Sequence, residues 1–318
     1  MPELAPQRSL NTRSGDLQFA PRVMLFATDF SRACQNAWPY ALAIAREYHS
    51  KLLLAHVIDP LIFAAVPSEL ASAAKEQVRR EKEDQLSNLQ RSESSPQLDF
   101  EPLLREGEIT DVLLRIVHER GVQLLVAGTR GRSQTKRLLL GSMAEKIFRQ
   151  AGCPSLVVPE RASFHETFVI RRILCPIDFS LDSHTALAFA KSIARRHGAQ
   201  LILVHVLREN LSMAKSENEW AVHDAQNRLR KLLADDNLPF ETLIETTVGL
   251  AAEQILQTAT AYHADLVVIS VHPAAGTVAH ERERKAYKII RWSRCAVLTV
   301  PRFLGSMAGS NSLAVAER

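Results

Sequence analysis

The chain has 318 residues, 46% of them hydrophobic, which is enough for two domains of ordinary size with full cores. Lys and Arg total 39 against 35 Asp and Glu; the excess of +4 is spread thinly, with no basic block interleaved with aromatics, which argues against a nucleic-acid partner. No apolar run approaches the roughly 18 residues that span a membrane, and residues 1–20 lack the apolar centre of a secretory signal, so a cytoplasmic protein with no membrane partner is expected.

The four cysteines, Cys34, Cys153, Cys175 and Cys295, show no Cys-x-x-Cys spacing and read as reduced thiols. After a polar arm, residues 23–27 read as a first buried strand, which ends in Thr28-Asp29-Phe30-Ser31. Ser31 is placed to cap the helix that follows, in which Ala37, Ala41, Ile44 and Ala45 form one small apolar face. Residues 52–57 form a second, continuously apolar strand, as parallel strands buried on both faces do. A charged helix over 68–91, a strand over 98–104, a helix over 109–119, a strand over 123–127, a helix over 142–150 and a strand over 155–158 complete the unit. Strands alternating with helices imply right-handed crossovers and a doubly wound parallel sheet.

The second half repeats the first. Asp29-Phe30-Ser31 returns as Asp178-Phe179-Ser180 and His56-Val57 as His205-Val206, each 149 positions on. Further along, Gly107 returns as Gly249, Cys153 as Cys295 and Val158-Pro159 as Val300-Pro301, now 142 positions on, so the second copy has lost seven residues in between. The organisation expected is an arm over 1–20 and a tail over 303–318, both disordered, with domains over 21–159 and 171–302 joined by a linker over 160–170.

Between the fourth strand and the following helix lie Gly128, Gly131, Gly141 and Ser142. Glycines let backbone approach a ligand closely, and the N–H groups and dipole at a helix start favour phosphate. The spacing is neither Gly-x-x-x-x-Gly-Lys-Ser/Thr nor Gly-x-Gly-x-x-Gly. In the second copy these positions become Ser270, Pro273, Glu283 and Arg284; a proline lacks an N–H and a glutamate opposes phosphate, so the second copy is expected not to hold a nucleotide in the same way, with an altered or weaker pocket as the alternative because Asp178 and Val206 survive.

With Thr28-Asp29-Phe30-Ser31, His56-Val57, Gly107 and the loop from Gly128 to Ser142 in register, the chain resembles a tandem universal stress protein over nearly all of residues 21–302. The resemblance implies two Rossmann-like α/β units of five parallel strands (adenine nucleotide alpha-hydrolase-like). It also implies ATP, with or without magnesium, at the C-terminal strand ends of the first unit. Carried over, Ala27 and Asp29 would contact the adenosine and Val57 would line the adenine slot. Ala127 and Gly128 would sit beside ribose and α-phosphate, and Gly131, Arg132, Gly141, Ser142 and Met143 would serve the phosphates. Ala27 stands where many members have proline. By resemblance to family dimers, the short end strands 155–158 and 296–300 would join the halves as an internal pseudo-dimer, with a homodimer and a regulatory protein partner as further expectations.

Alternatives stand beside several of these residues. Asp29 suits reinforcement of the helix start, and His56 and His205 suit hydrogen bonding at a strand end. Cys34, near a helix start, is either a thiol of lowered pKa or a buried, inert one. Arg130, Arg132, Lys136 and Arg137 form either a solvated loop or a counterweight to a triphosphate. No nucleophile elbow or His-Glu-x-x-His occurs, and no dedicated base for phosphoryl transfer is visible. A nucleotide-binding stress-response or regulatory protein is therefore expected, with a slow ATPase or a scaffold that binds no nucleotide as the rival readings.

Overall fold

A computed structural model describes residues 18–91, 98–129, 146–147, 150–162, 169–208, 215–234, 238–271 and 277–301. Gly131, Arg132, Gly141, Ser142 and Met143 lie outside the described residues, as do Arg130, Lys136, Arg137 and Pro273, most of the helix expected over 142–150, residues 1–17 and the tail.

The first half runs β1 (Val23–Ala27), α1 (Arg32–Tyr48), β2 (Lys51–Ile58), a 3-10 turn (Pro60–Phe63), α2 (Ser68–Arg91), β3 (Asp99–Glu106), α3 (Ile109–Glu119), β4 (Leu124–Gly128) and β5 (Ser155–Val158). The second runs β6 (Arg172–Pro176), α4 (Leu181–His197), β7 (Gln200–Leu207), α5 (Lys215–Lys231), β8 (Thr242–Val248), α6 (Ala251–Ala261), β9 (Leu266–Val271), α7 (Thr277–Trp292) and β10 (Ala296–Pro301). The third strand is longer than the residues 98–104 read from the sequence. It pairs with β2 from Lys51 opposite Asp99 to Ile58 opposite Glu106, so the partner strand sets its length.

Each half is a parallel, doubly wound sheet, and the two fuse into one ten-stranded sheet in the order β3-β2-β1-β4-β5-β10-β9-β6-β7-β8. The fusion is the antiparallel pairing of β5 with β10, in which Leu156 opposes Leu298 and Val157 opposes Val297. Thr299 Oγ1 also donates to the Ser155 carbonyl at 3.1 Å. Two short apolar strands that would otherwise be exposed edges thus cover each other.

The central strands are apolar on both faces because helices cover both. Phe26, Trp38, Leu54, Leu86, Ile193 and Leu229 lie in one core layer, beneath α1, α2, α4 and α5. Leu25, Leu53, Val112, Ile116, Ile255 and Ile289 lie in the other, beneath α3, α6 and α7. The expected face of α1 is the one that packs: Ala37, Ala41 and Ala45 are fully buried and Ile44 nearly so. Small residues there let the helix lie close to the sheet.

Candidate functional site

At the end of β1 the chain makes a turn that its own side chains hold. Thr28 N donates to the Ala55 carbonyl at 2.9 Å, the last rung between β1 and β2. Phe30 then takes a left-handed φ of 60°, uncommon for a bulky residue. Thr28 Oγ1 accepts from Phe30 N at 3.0 Å and Asp29 Oδ1 accepts from Ser31 N at 2.9 Å. Ser31 Oγ caps α1 by accepting from Cys34 N.

From β2, His56 Nδ1 lies 2.7 Å from the Thr28 carbonyl oxygen, and its ring sits 4.8 Å from that of Phe30. A carbonyl only accepts, so Nδ1 carries the hydrogen. A strained backbone persists where its surroundings over-determine it, and here four side chains do. Both alternatives raised by the sequence for Asp29 and His56 are therefore seen at work: the carboxylate reinforces the helix start and the imidazole is bonded at a strand end.

The second copy repeats the device. Phe179 has φ 60°, Asp178 Oδ1 accepts from Ser180 N at 3.0 Å, and His205 Nδ1 lies 2.6 Å from the Ile177 carbonyl oxygen. Ile177 stands where the first copy has Thr28, so the hydroxyl acceptor for the phenylalanine N–H is gone.

Cys34 belongs to the first turn. Its thiol donates to Asp29 Oδ1 at 3.2 Å and lies 3.7 Å from the Ala27 carbonyl oxygen. Burial, and secondarily the charge of Asp29, push its pKa up to about 11. The lowered-pKa alternative is thereby overturned: an uncharged pocket and a neighbouring carboxylate both oppose the thiolate.

The sheet brings together the site residues it describes. Ala27 pairs with Ala55 on one side and Ala127 on the other. Ala27 and Asp29 at the end of β1, Val57 near the end of β2, and Ala127 and Gly128 at the end of β4 therefore lie at one end of the sheet. There the strand order reverses, the place where open α/β sheets seat ligands. Gly128 is required by contact: a Cβ on it would stand 2.5 Å from the Ala33 carbonyl carbon, at the start of α1. The close approach seats the first turn of α1 against the end of β4. Sequence reasoning missed Thr28 as the second clamp on Phe30, although the paired recurrence of His56 and His205 signalled that this turn was held from β2.

At the same end of the second half, the ends of β6, β7 and β9 and the starts of α4 and α6 enclose a cleft of about 680 Å³. Glu283 and Arg284, at the positions of Gly141 and Ser142, fall inside α7, which begins at Thr277. Their backbone N–H groups are used within the helix and cannot cradle an anion. Leu250, the N-cap of α6, provides no side-chain cap, whereas its first-half counterpart Glu108 accepts from Asp111 N at 2.7 Å. Among the described residues, no three His, Cys, Asp or Glu side chains cluster to hold a metal, and no helix is long and apolar enough to cross a membrane.

The model of the universal stress protein family matches residues 21–159 and again 170–301. Universal stress protein YxiE of Bacillus subtilis is 28% identical over 143 residues, which is 42% of this chain and 97% of that protein. Universal stress protein MJ0531 of Methanocaldococcus jannaschii is 26% identical over 136 residues, or 42% of this chain and 80% of that one. Each relative thus corresponds to about one copy of the repeat. A universal stress protein structure from Archaeoglobus fulgidus shares the fold at full length, covering 89% of this chain and 100% of its own with a TM-score of 0.60 at 18% identity. With both halves of the chain matched by the family model, and the repeated turn and joined sheet in place, this chain belongs to the universal stress protein family and carries two of its domains in tandem.

Proposed function

We propose that the first half holds an adenine nucleotide, ATP with or without magnesium, and that its occupancy changes the conformation or partners of the chain in a stress response. The observation that carries this reading is the switch in strand order between β1 and β4, where Gly128 touches the start of α1 and Asp29 accepts from Ser31 N. Gly128 lets the start of α1 pack directly on the end of β4, and a helix start held at the strand ends presents N–H groups and a dipole that favour phosphate. Val57, buried near the end of the neighbouring strand, is an apolar residue of the kind that suits a base. Asp29 Oδ1 already accepts from Ser31 N and the Cys34 thiol, which suits a positioned acceptor better than a general base.

A thermal-shift titration with ATP, with and without magnesium, tests the proposal. Ligand at 100 times its Kd should add about 2.7 kcal/mol of stability. Asp29→Ala should abolish the gain; no gain in the unaltered chain would favour the scaffold reading. Homodimerisation and a regulatory partner belong to the same proposal. With β5 and β10 already paired, a homodimer would use other surfaces, and mass in solution tests it.

A further inference from the structure

The ten-stranded sheet ends in two edges, β3 and β8, which hold the same place in the two copies but are built differently. The backbone bonds show which groups face outward. Leu201 N donates to the Glu241 carbonyl and Gly249 N to the Leu207 carbonyl, so the odd-numbered residues of β8 bond to β7. Thr242, Ile244, Thr246 and Val248 therefore present N–H and C=O at the edge. On β3, where Gly107 N donates to the Ile58 carbonyl, the outward residues are Phe100, Pro102, Leu104 and Glu106.

A row of unpaired backbone groups is a template for another strand, and proteins blunt it with proline and charge. The first copy does so. Pro102 removes an outward N–H in the middle of β3, and Glu106 sets a carboxylate at its end, 4.0 Å from the Arg79 guanidinium. At the matching positions, 142 residues on, β8 has Ile244 and Val248. Five of its seven residues are β-branched, and Glu245 alone is charged. Every residue of β8 keeps part of its surface exposed, and no described strand pairs with its outer side.

The strand is also complementary to itself. The hydroxyls of Thr242, Thr246 and Thr247 are buried without a hydrogen-bond partner among the described residues. In an antiparallel pairing of two β8 strands about Ile244, Thr242 opposes Thr246 and Thr247 opposes Glu241, so each of the three hydroxyls gains a polar neighbour. An axis at Glu245 would set two carboxylates against each other. An axis at Thr246 would set Thr242 against Leu250.

We infer that β8 is a self-association edge, through which two copies of the chain pair antiparallel about a twofold axis at Ile244 and continue one sheet across both. The contact is isologous and closes at two chains. It rests on the homodimer reading above, whose surface it names, and not on ATP.

Sedimentation equilibrium of the full chain tests it. The unaltered chain should show the mass of two chains. Ile244→Pro, which gives β8 the residue that the first copy has at this place, should show the mass of one. Thr242→Lys, which adds an edge charge without touching the backbone, should weaken self-association about tenfold or more, and it decides the matter where circular dichroism shows Ile244→Pro to be unfolded. Glu106→Lys, on the opposite edge, should leave the mass of two chains. Ile244→Cys reads the register: on the axis it meets its own copy at a Cα separation of about 5.5 Å, within disulfide reach, so oxidised glutathione should crosslink it faster than Glu245→Cys. A single-chain mass for the unaltered protein would overturn both this inference and the homodimer. A two-chain mass that Thr242→Lys leaves intact, with no crosslink in Ile244→Cys, would overturn the inference alone and put the homodimer on another surface.

Discussion

Gly128 lies so close to Ala33 that a single added carbon would stand 2.5 Å from the alanine's carbonyl carbon and 2.6 Å from its oxygen. Both neighbours are backbone at a helix start, so neither can swing aside. Gly128→Ala must push α1 away from β4, at a cost of about 1–3 kcal/mol for overpacking. The melting temperature should fall, and ATP stabilisation should be lost with it. Ser270→Ala, at the matching place in the second half, should change the melting temperature by much less.

The thiol of Cys34 is buried against Asp29, and with a pKa of about 11 it is almost wholly protonated at neutral pH. Alkylation of the native chain by iodoacetamide at pH 8 should therefore spare it until the protein unfolds. Burial is the larger cause and the Asp29 charge the second, so Asp29→Asn should lower the pKa and speed labelling without bringing it to that of a free thiol. Mass spectrometry of the peptide containing Cys34 reads both results.

Glu101 on β3 accepts from Arg120 at 2.7 and 2.6 Å and pairs with Lys51 at 2.8 Å, which holds its pKa down to about 2. A carboxyl depressed in the folded state stabilises fully above its ordinary range near 4.5, and that contribution is lost as pH falls toward 2. Arg120→Ala removes the larger cause. The variant should start less stable at pH 7 and lose less stability between pH 5 and 2, as denaturant titrations across that range would show.

Much of this was legible in the chain. Uninterrupted apolar runs such as Leu52-Leu53-Leu54 located strands buried on both faces, and the recurrence of Asp-Phe-Ser and His-Val located the paired turns. The joining of β5 to β10 was expected from the resemblance to family dimers, and two short apolar strands that each needed a partner agreed with it. The clamp on Phe30 was harder to see, because it depends on His56 reaching a carbonyl 28 residues away. The second-half cleft was legible only in part, through the survival of Asp178 and Val206. Arg208, Leu250 and Lys285 form no motif along the chain, and only the crossovers of the sheet bring them to one end of it.

The repeat also identifies an unrelieved strain. His263, just past the end of α6, has φ 49°, and its first-half counterpart Gly121 makes the same turn at 58°. A left-handed conformation costs a residue with a Cβ roughly 1–2 kcal/mol, of which the extra chain entropy of glycine returns about half. His263→Gly should stabilise the chain by about 0.5–1 kcal/mol, raising the melting temperature by about 2–4 °C per kcal/mol. A scanning calorimetry comparison decides it.

The central claim is that the two copies have parted in function, with only the first keeping a crevice for ATP. Equilibrium dialysis of the full chain against ATP, carried to saturation, measures this directly. One equivalent per chain, lost in Asp29→Ala and retained in Arg208→Ala and Lys285→Ala, is the predicted result. Two equivalents, or none, would contradict it.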